Sequence, residues 1–248
     1  MLGLLSRKQK LRTHALPDGE RVYAIGDIHG RLDCLDTLIA RICADDAMRA
    51  PATTTIVFLG DLIDRGPDSC GVVERAIALR ATHRCVFLMG NHEEILIKTW
   101  EGDVASVRLL HRVGGRETLL SYGVTEADYD AADFERVIEL VKQSVPVEHI
   151  AFLRRFRDTY AAGDYLFVHA GVRPGTPIDQ QDPTDMRWIR ERFLTDTRDH
   201  GAMVVHGHSI TNDIDEQPNR IGIDTGAYAS GRLTALGIEG SDRWSLAS

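Results

Sequence analysis

Asp27 and His29 stand two residues apart in the segment GDIHG (26–30), Asp61 follows 34 residues later in GDLIDRG (60–66), and Asn91 and His92 come 30 residues after that in GNHE (90–93). Carboxylate, amide and imidazole are the donor types that suit Mn²⁺, Fe or Zn²⁺. If the chain stays extended past a strand, residues two apart point the same way, so Asp27 and His29 can share one ion. Further imidazoles come from His169 and from His206 and His208 in HGH (206–208). Five of the ten histidines (His29, His92, His169, His206, His208) fall in these segments, which favours a site over scattered surface residues. Each segment alone has a plainer explanation. GDIHG reads as an Asx-type turn, and GDLIDRG as a turn in which Asp64 and Arg65 form a solvated ion pair of little energetic value. Their joint order and spacing outweigh those explanations.

The elements that must position these residues are legible as short apolar runs. Val22–Ile25, Thr55–Leu59 and Cys85–Met89 are β-branched or aromatic and each stops at a glycine, the pattern of a buried strand. Helical spacing follows the first in Leu32, Leu35, Leu38, Ile39 and Ile42, and the second in Val72, Val73, Ile77 and Leu79. The alternation predicts a βαβαβ unit with a parallel or mixed sheet, whose active residues collect just past the strand ends. From about Glu93 to Phe156 the pattern turns helical without a strand, an insertion beside the site too thin in apolar residues for its own core. Strand patterns return at Tyr165–Val168, Met203–Val205, Ile221–Ile223 and Leu233–Ile238.

Composition narrows the function classes. Of 248 residues, 43% are hydrophobic and 27% charged, as in an ordinary soluble protein. A formal charge of −8 argues against a dedicated nucleic-acid binder, which needs a basic surface to displace counterions. The opening MLGLLSRKQKLR lacks the apolar region and cleavage site of a secretory leader, and no segment reaches the length of a membrane span. Cys34, Cys43, Cys70 and Cys85 show neither CxxC spacing nor scaffold density, so reduced, mostly buried thiols and a cytoplasmic location are expected.

The set GDIHG, GDLIDRG and GNHE, with HAG (169–171) and GHS (207–209) downstream, resembles the phosphoprotein phosphatase family, in particular its bacterial and phage-type serine/threonine phosphatases. The similarity runs over about residues 22–238. It implies a single calcineurin-like metallophosphoesterase domain over residues 1–248, with a helical insertion at about 94–157, folded as a four-layer αββα sandwich of two mixed sheets. The resemblance further implies two divalent ions, with Mn²⁺ expected and Fe or Zn²⁺ as alternatives. Asp27 and His29 would hold the first, Asn91, His169 and a histidine of HGH the second, and Asp61 would bridge them. The family pattern GH[ST] selects His208, because Ser209 follows it, and leaves His206 as the lesser candidate.

In that mechanism a hydroxide bridging the metals attacks phosphorus directly. His92 would be the general acid, oriented by Asp64, and Arg65 would bind phosphoryl oxygens. A second arginine comes from MRWIRERF (186–193), where the WxR spacing favours Arg190 over Arg187 and Arg192; the same segment also reads as an amphipathic helix with Trp188, Ile189 and Phe193 inside. Glu93 is expected to start a helix or hold an arginine, and Asp224 to brace the site. A protein serine/threonine phosphatase acting on phosphoproteins or phosphopeptides is the leading expectation. Symmetrical diadenosine tetraphosphate hydrolases carry much the same motifs, so a dinucleoside polyphosphate is the competing substrate. An inactive scaffold ranks last, since no expected ligand is lost.

Overall fold

A computed structural model describes residues 13–248. The reading of residues 1–12 as lacking a leader therefore lies outside the described residues. The chain runs β1 (Glu20–Ile25), α1 (Leu32–Met48), β2 (Thr53–Phe58), α2 (Ser69–Thr82) and β3 (Cys85–Phe87). Six helices follow: α3 (Asn91–Glu101), α4 (Val104–Val113), α5 (Gly115–Ser121), α6 (Glu126–Asp130), α7 (Phe134–Ser144) and α8 (Val147–Leu153). The second half holds β4 (Thr159–Ala162), β5 (Tyr165–Val168), α9 (Pro183–Trp188), α10 (Glu191–Leu194), β6 (Met203–His206), β7 (Asp215–Glu216), β8 (Arg220–Gly222), α11 (Ala227–Ser230), β9 (Thr234–Glu239) and β10 (Asp242–Ala247). No helix among the described residues is long and apolar enough to cross a membrane.

Two five-stranded mixed sheets result, in the orders β10-β9-β1-β2-β3 and β4-β5-β6-β8-β7. β1, β2 and β3 are parallel, with Ile25 level with Phe58 and Phe58 level with Phe87, so their three C-terminal exits lie side by side. β5, β6 and β8 are likewise parallel. Period-two alternation explains the layering. Val22, Ala24 and Val57 face inward and meet Tyr165, Phe167, Val205 and Ile221 of the other sheet in one buried cluster. Tyr23, Ile25, Ile56 and Phe58 point the opposite way, into the helices. Strands buried on both faces have no polar side to show, which is why they read as unbroken apolar runs. The second sheet is covered by α9 and α10 through Met186, Ile189 and Phe193.

The helices between β3 and β4 have no core of their own. Ile95, Leu96, Val107, Leu110, Leu119, Val137, Val141 and Leu153 join the cluster that also contains α1, α2 and the helix-facing side of the first sheet. The sequence pattern missed three strands: β4, the two-residue β7, and β10, whose residues are mostly exposed or half-buried and so carry no apolar run. All four cysteines are free, but only Cys34 is buried; Cys43 is exposed and Cys70 and Cys85 are half-buried, contrary to the expectation of mostly buried thiols. Cys43 follows the last core-facing position of α1, Ile42, and so turns outward.

Because the inserted helices share this core, Leu110→Ala should destabilise the whole protein by about 2–5 kcal/mol. Leu110 is fully buried. Thermal unfolding followed by far-UV and near-UV circular dichroism should show one transition shifted downward, and a separate early transition would instead make residues 94–157 an independent unit.

Candidate metal centre

The two most informative loops are built back to back. The N–H groups of Ile28 and His29 both donate to the Asp61 carbonyl, at 3.0 and 2.9 Å, and the Gly30 N–H donates to the Leu62 carbonyl at 2.9 Å. Gly66 packs against the His29 carbonyl so closely that any side chain there would collide with backbone. His29, Asp61, Asp64, Arg65 and His208 are the non-glycine residues with positive φ among those described, at 49°, 50°, 72°, 69° and 62°. All five are site residues expected from the sequence. Such conformations cost about 1–3 kcal/mol each and persist where the surrounding structure enforces them.

Glu93 is a main enforcer. It is fully buried in the first turn of α3, and its carboxylate accepts from the N–H groups of Gly90 (3.1 Å), Asp61 (2.9 Å) and Leu62 (2.7 Å). The expectation of a helix-starting residue holds; in place of an arginine, its partners are backbone amides of the Asp61 loop.

The side chains converge on Asp61. Its Oδ2 lies 3.4 Å from His169 Nε2, 3.6 Å from His92 Nε2 and 3.7 Å from His29 Nε2. Asn91 Oδ1 and His208 Nδ1 lie 3.1 and 3.2 Å from His169 Nε2. Two sets have donor atoms mutually within 4.8 Å, His29/Asp61/His92 and Asp61/His169/His208, and Asp61 belongs to both. Asp27 Oδ2 accepts the His208 backbone N–H at 3.0 Å, while Asp27 Oδ1 and His208 Nε2, both buried, have no hydrogen-bond partner among the described residues. His206 lies apart: its Nδ1 is 3.0 Å from the Gly207 carbonyl and its ring meets Phe193 edge-on.

Electrostatics fit a cationic occupant. Burial, then the charge of His92, lowers His29 to about 3; burial, then His169, lowers His208 to about 2; burial also lowers His169. These imidazoles are held neutral with free lone pairs, the form a metal requires. Burial would raise Asp61, but His169, His92 and His29 hold it below the ordinary carboxylate range. Asp27 is pushed well up by burial and by the carboxylates of Asp224 and Asp61. Buried carboxylates that raise one another, with Asp27 Oδ1 and His208 Nε2 unpartnered among the described residues, form a donor set suited to divalent ions.

His92 stands between that set and the arginine. Its Nδ1 is 2.7 Å from Asp64 Oδ2 and its Nε2 is 3.2 Å from an Arg65 guanidinium nitrogen. Burial opposes its charge, yet Asp61 and Asp64 keep its pKa above that of a free imidazole. Asp64 is itself fixed: its N–H donates to Ser69 Oγ and Thr118 Oγ1, and the Thr118 hydroxyl donates to its Oδ1 at 2.5 Å. Arg65 is held by the Val113 carbonyl at 3.4 Å, and its guanidinium lies 4.8 Å from the Tyr228 ring centroid.

The 186–193 segment is not one helix. It breaks at Ile189 and Arg190, where φ −132° and ψ −112° separate α9 from α10. Trp188 is only half-buried and its indole N–H donates to Glu94. Arg187 is engaged with Glu94 and Asp158. Arg190 is exposed, has no ion-pair partner among the described residues, and its positive charge depresses both His169 and His208. Asp224 accepts the Gly226 N–H at 2.9 Å and is pushed to about 6 by burial. Thr118 and Tyr228 were missed by sequence reasoning, since neither sits in a motif.

A family model described as calcineurin-like phosphoesterase matches residues 20–231. The chain belongs to the calcineurin-like phosphoesterase family. An asymmetrical bis(5'-nucleosyl)-tetraphosphatase of Anoxybacillus flavithermus is 28% identical over 86% of this chain and 88% of its own length. A symmetrical bis(5'-nucleosyl)-tetraphosphatase of an Acidovorax species is 32% identical over 62% of this chain and 44% of its own length. Among solved structures, one titled as a putative diadenosine tetraphosphatase covers 96% of this chain and 99% of its own with a TM-score of 0.63 at 23% identity. A cold-active protein tyrosine phosphatase covers 94% and 81% with a TM-score of 0.58 at 17% identity. These likenesses establish the metallophosphoesterase fold of two mixed sheets and flanking helices, and the family to which the chain belongs uses divalent metals.

Glu93→Gln should disturb this calcineurin-like phosphoesterase centre without touching a donor atom. A glutamine amide keeps one acceptor oxygen but turns an NH₂ toward an N–H, so one charge-assisted bond becomes a clash of donors. A loss of about 1.5–3 kcal/mol is expected. Chemical denaturation would measure it, and Mn²⁺ titration should show weaker binding as the Asp61 loop relaxes.

Proposed function

We propose that the protein hydrolyses dinucleoside polyphosphates at a two-metal centre, cutting the anhydride asymmetrically. What carries this reading is the long, reciprocal likeness to relatives named asymmetrical bis(5'-nucleosyl)-tetraphosphatases, which spans most of both chains. It reverses the order of the two substrate classes expected from the motifs, because those motifs are shared by hydrolases of esters and of anhydrides.

In this reading Asp27, His29, Asp61, Asn91, His169 and His208 would hold the ions; Asp61 belongs to both clusters of donor atoms. Divalent ions there would supply Lewis acidity toward phosphoryl oxygens and lower the pKa of water. Arg65 contributes a planar fork for two phosphoryl oxygens and Arg190 a second, exposed one. Water oxygen bonds to phosphorus, the bridging P–O bond breaks, and the departing oxygen takes its proton from His92. Asp64, 2.7 Å from Nδ1, keeps that imidazole aimed. Attack at the phosphorus next to one nucleoside yields a nucleoside monophosphate and a nucleoside triphosphate.

The decisive comparison supplies Mn²⁺ and measures kcat/KM on diadenosine tetraphosphate and on phosphoserine and phosphothreonine peptides, with product analysis by anion exchange. AMP plus ATP as products, with the dinucleotide preferred, is the expected result. Two equivalents of ADP would overturn the asymmetrical cut, and preferred turnover of phosphopeptides would restore the protein phosphatase reading.

His92→Asn tests the proton donor. The loss should reach roughly 10²–10⁴-fold on alkyl phosphates and shrink on an anhydride or a nitrophenyl ester, whose leaving oxygens need less of a proton. An equal loss across leaving groups would move His92 from protonation to binding, and a lost metal would make it a ligand.

A further inference from the structure

Tyr228 is an unusual neighbour for a buried centre. It lies on α11, directly after the Asp224–Gly226 turn, and its ring meets His29 edge-on at 5.5 Å and 88°. His29 is 1% exposed, yet Tyr228 is 37% exposed. The Arg65 guanidinium lies 4.8 Å from its ring centroid. Its hydroxyl makes no hydrogen bond among the described residues, so the ring and not the hydroxyl makes the contacts. Ile210, 49% exposed, packs against Gly226 two residues away, so two of the few exposed large apolar side chains share one rim of the metal centre.

We propose that Tyr228 is a specificity-determining residue whose ring stacks on the base of a nucleoside 5'-phosphate held at the metal centre. This rests on the dinucleoside polyphosphate reading and deepens it. Arg65 links the two halves of the argument, since the cation beside the ring is the one assigned to the phosphoryl group. An asymmetrical cut at the phosphorus next to one nucleoside leaves only the 5'-oxygen between the attacked phosphorus and that sugar, which keeps the base near the centre and within reach of a ring on its rim. Stacking of this kind tolerates any base, because every base offers a π-face.

Isothermal titration of the Mn²⁺-loaded protein with AMP and with ribose 5-phosphate isolates the base, and requires no turnover. Wild type should bind AMP roughly 5- to 100-fold more tightly than ribose 5-phosphate, the range of one base–aromatic stack. Tyr228→Ala should erase that preference while ribose 5-phosphate binds much as before, and Tyr228→Phe should keep it, because the hydroxyl has no partner to lose. Equal binding of the two ligands by wild type, or a preference that survives Tyr228→Ala, would overturn the inference. So would an equal weakening of both ligands in Tyr228→Ala, which would make the ring a support for Arg65. If AMP preference is present but diadenosine tetraphosphate is not hydrolysed, the proposed reaction fails while the stacking site stands.

Discussion

Asp61 is a carboxylate that is 1% exposed and has three imidazole nitrogens between 3.4 and 3.7 Å from one of its oxygens. An ionised group in so dry a place is costly unless opposite charge and hydrogen bonds surround it. Part of that demand is met by His92, which Asp61 and Asp64 hold toward its charged form, and by the backbone N–H it donates to Asp61 Oδ1; Glu93, itself a carboxylate, fixes the loop backbone, and a divalent cation among the donors would supply the remaining charge. The parallel alignment of β1, β2 and β3 makes this possible, because it delivers three loops to one level. Left-handed backbone at Asp61, Asp64 and Arg65 then turns consecutive side chains toward different partners.

The helices after β3 join the site as well as the core. Gly114 accepts the Arg65 N–H through its carbonyl, and Thr118 brackets Asp64 from both its backbone and its carboxylate. The groups that would manage the proton and the phosphoryl charge therefore rest on α4 and α5 rather than on the sandwich alone. The Asp64–His92–Arg65 chain is thus tied to the inserted region through Thr118 and Gly114, neither of which is a metal-donor candidate.

Substrate class in such a centre is set beyond the ions. In the proposed reaction the donor cluster would act on phosphorus whatever is attached to it, and the proton demand of the leaving group would decide how much His92 contributes. The exposed residues near the cluster are Arg190 at the break between α9 and α10, and Tyr228 and Ile210 around the Gly226 turn.

Much of this protein was written locally. Strands buried on both faces must be apolar throughout, and glycine must stand where the backbone turns or two loops touch, so the runs ending at Gly26, Gly60 and Gly90 located both the first sheet and the loops that carry Asp27, His29, Asp61, Asn91 and His92. The two-sheet architecture followed from resemblance more than from pattern; β10, mostly exposed or half-buried, and the short β4 left no periodic signal. The GH[ST] motif had already favoured His208 over His206; tertiary structure sets the first against His169 and Asp61 and turns the second toward Phe193. Tertiary structure alone gave Glu93 its three amides, paired Arg187 with Asp158 while leaving Arg190 without an ion pair among the described residues, and brought Thr118 and Tyr228 to residues 54 and 163 positions away in the chain. Such contacts depend on how helices and turns distant in sequence pack together, and a single Thr or Tyr carries no periodicity from which that packing can be read.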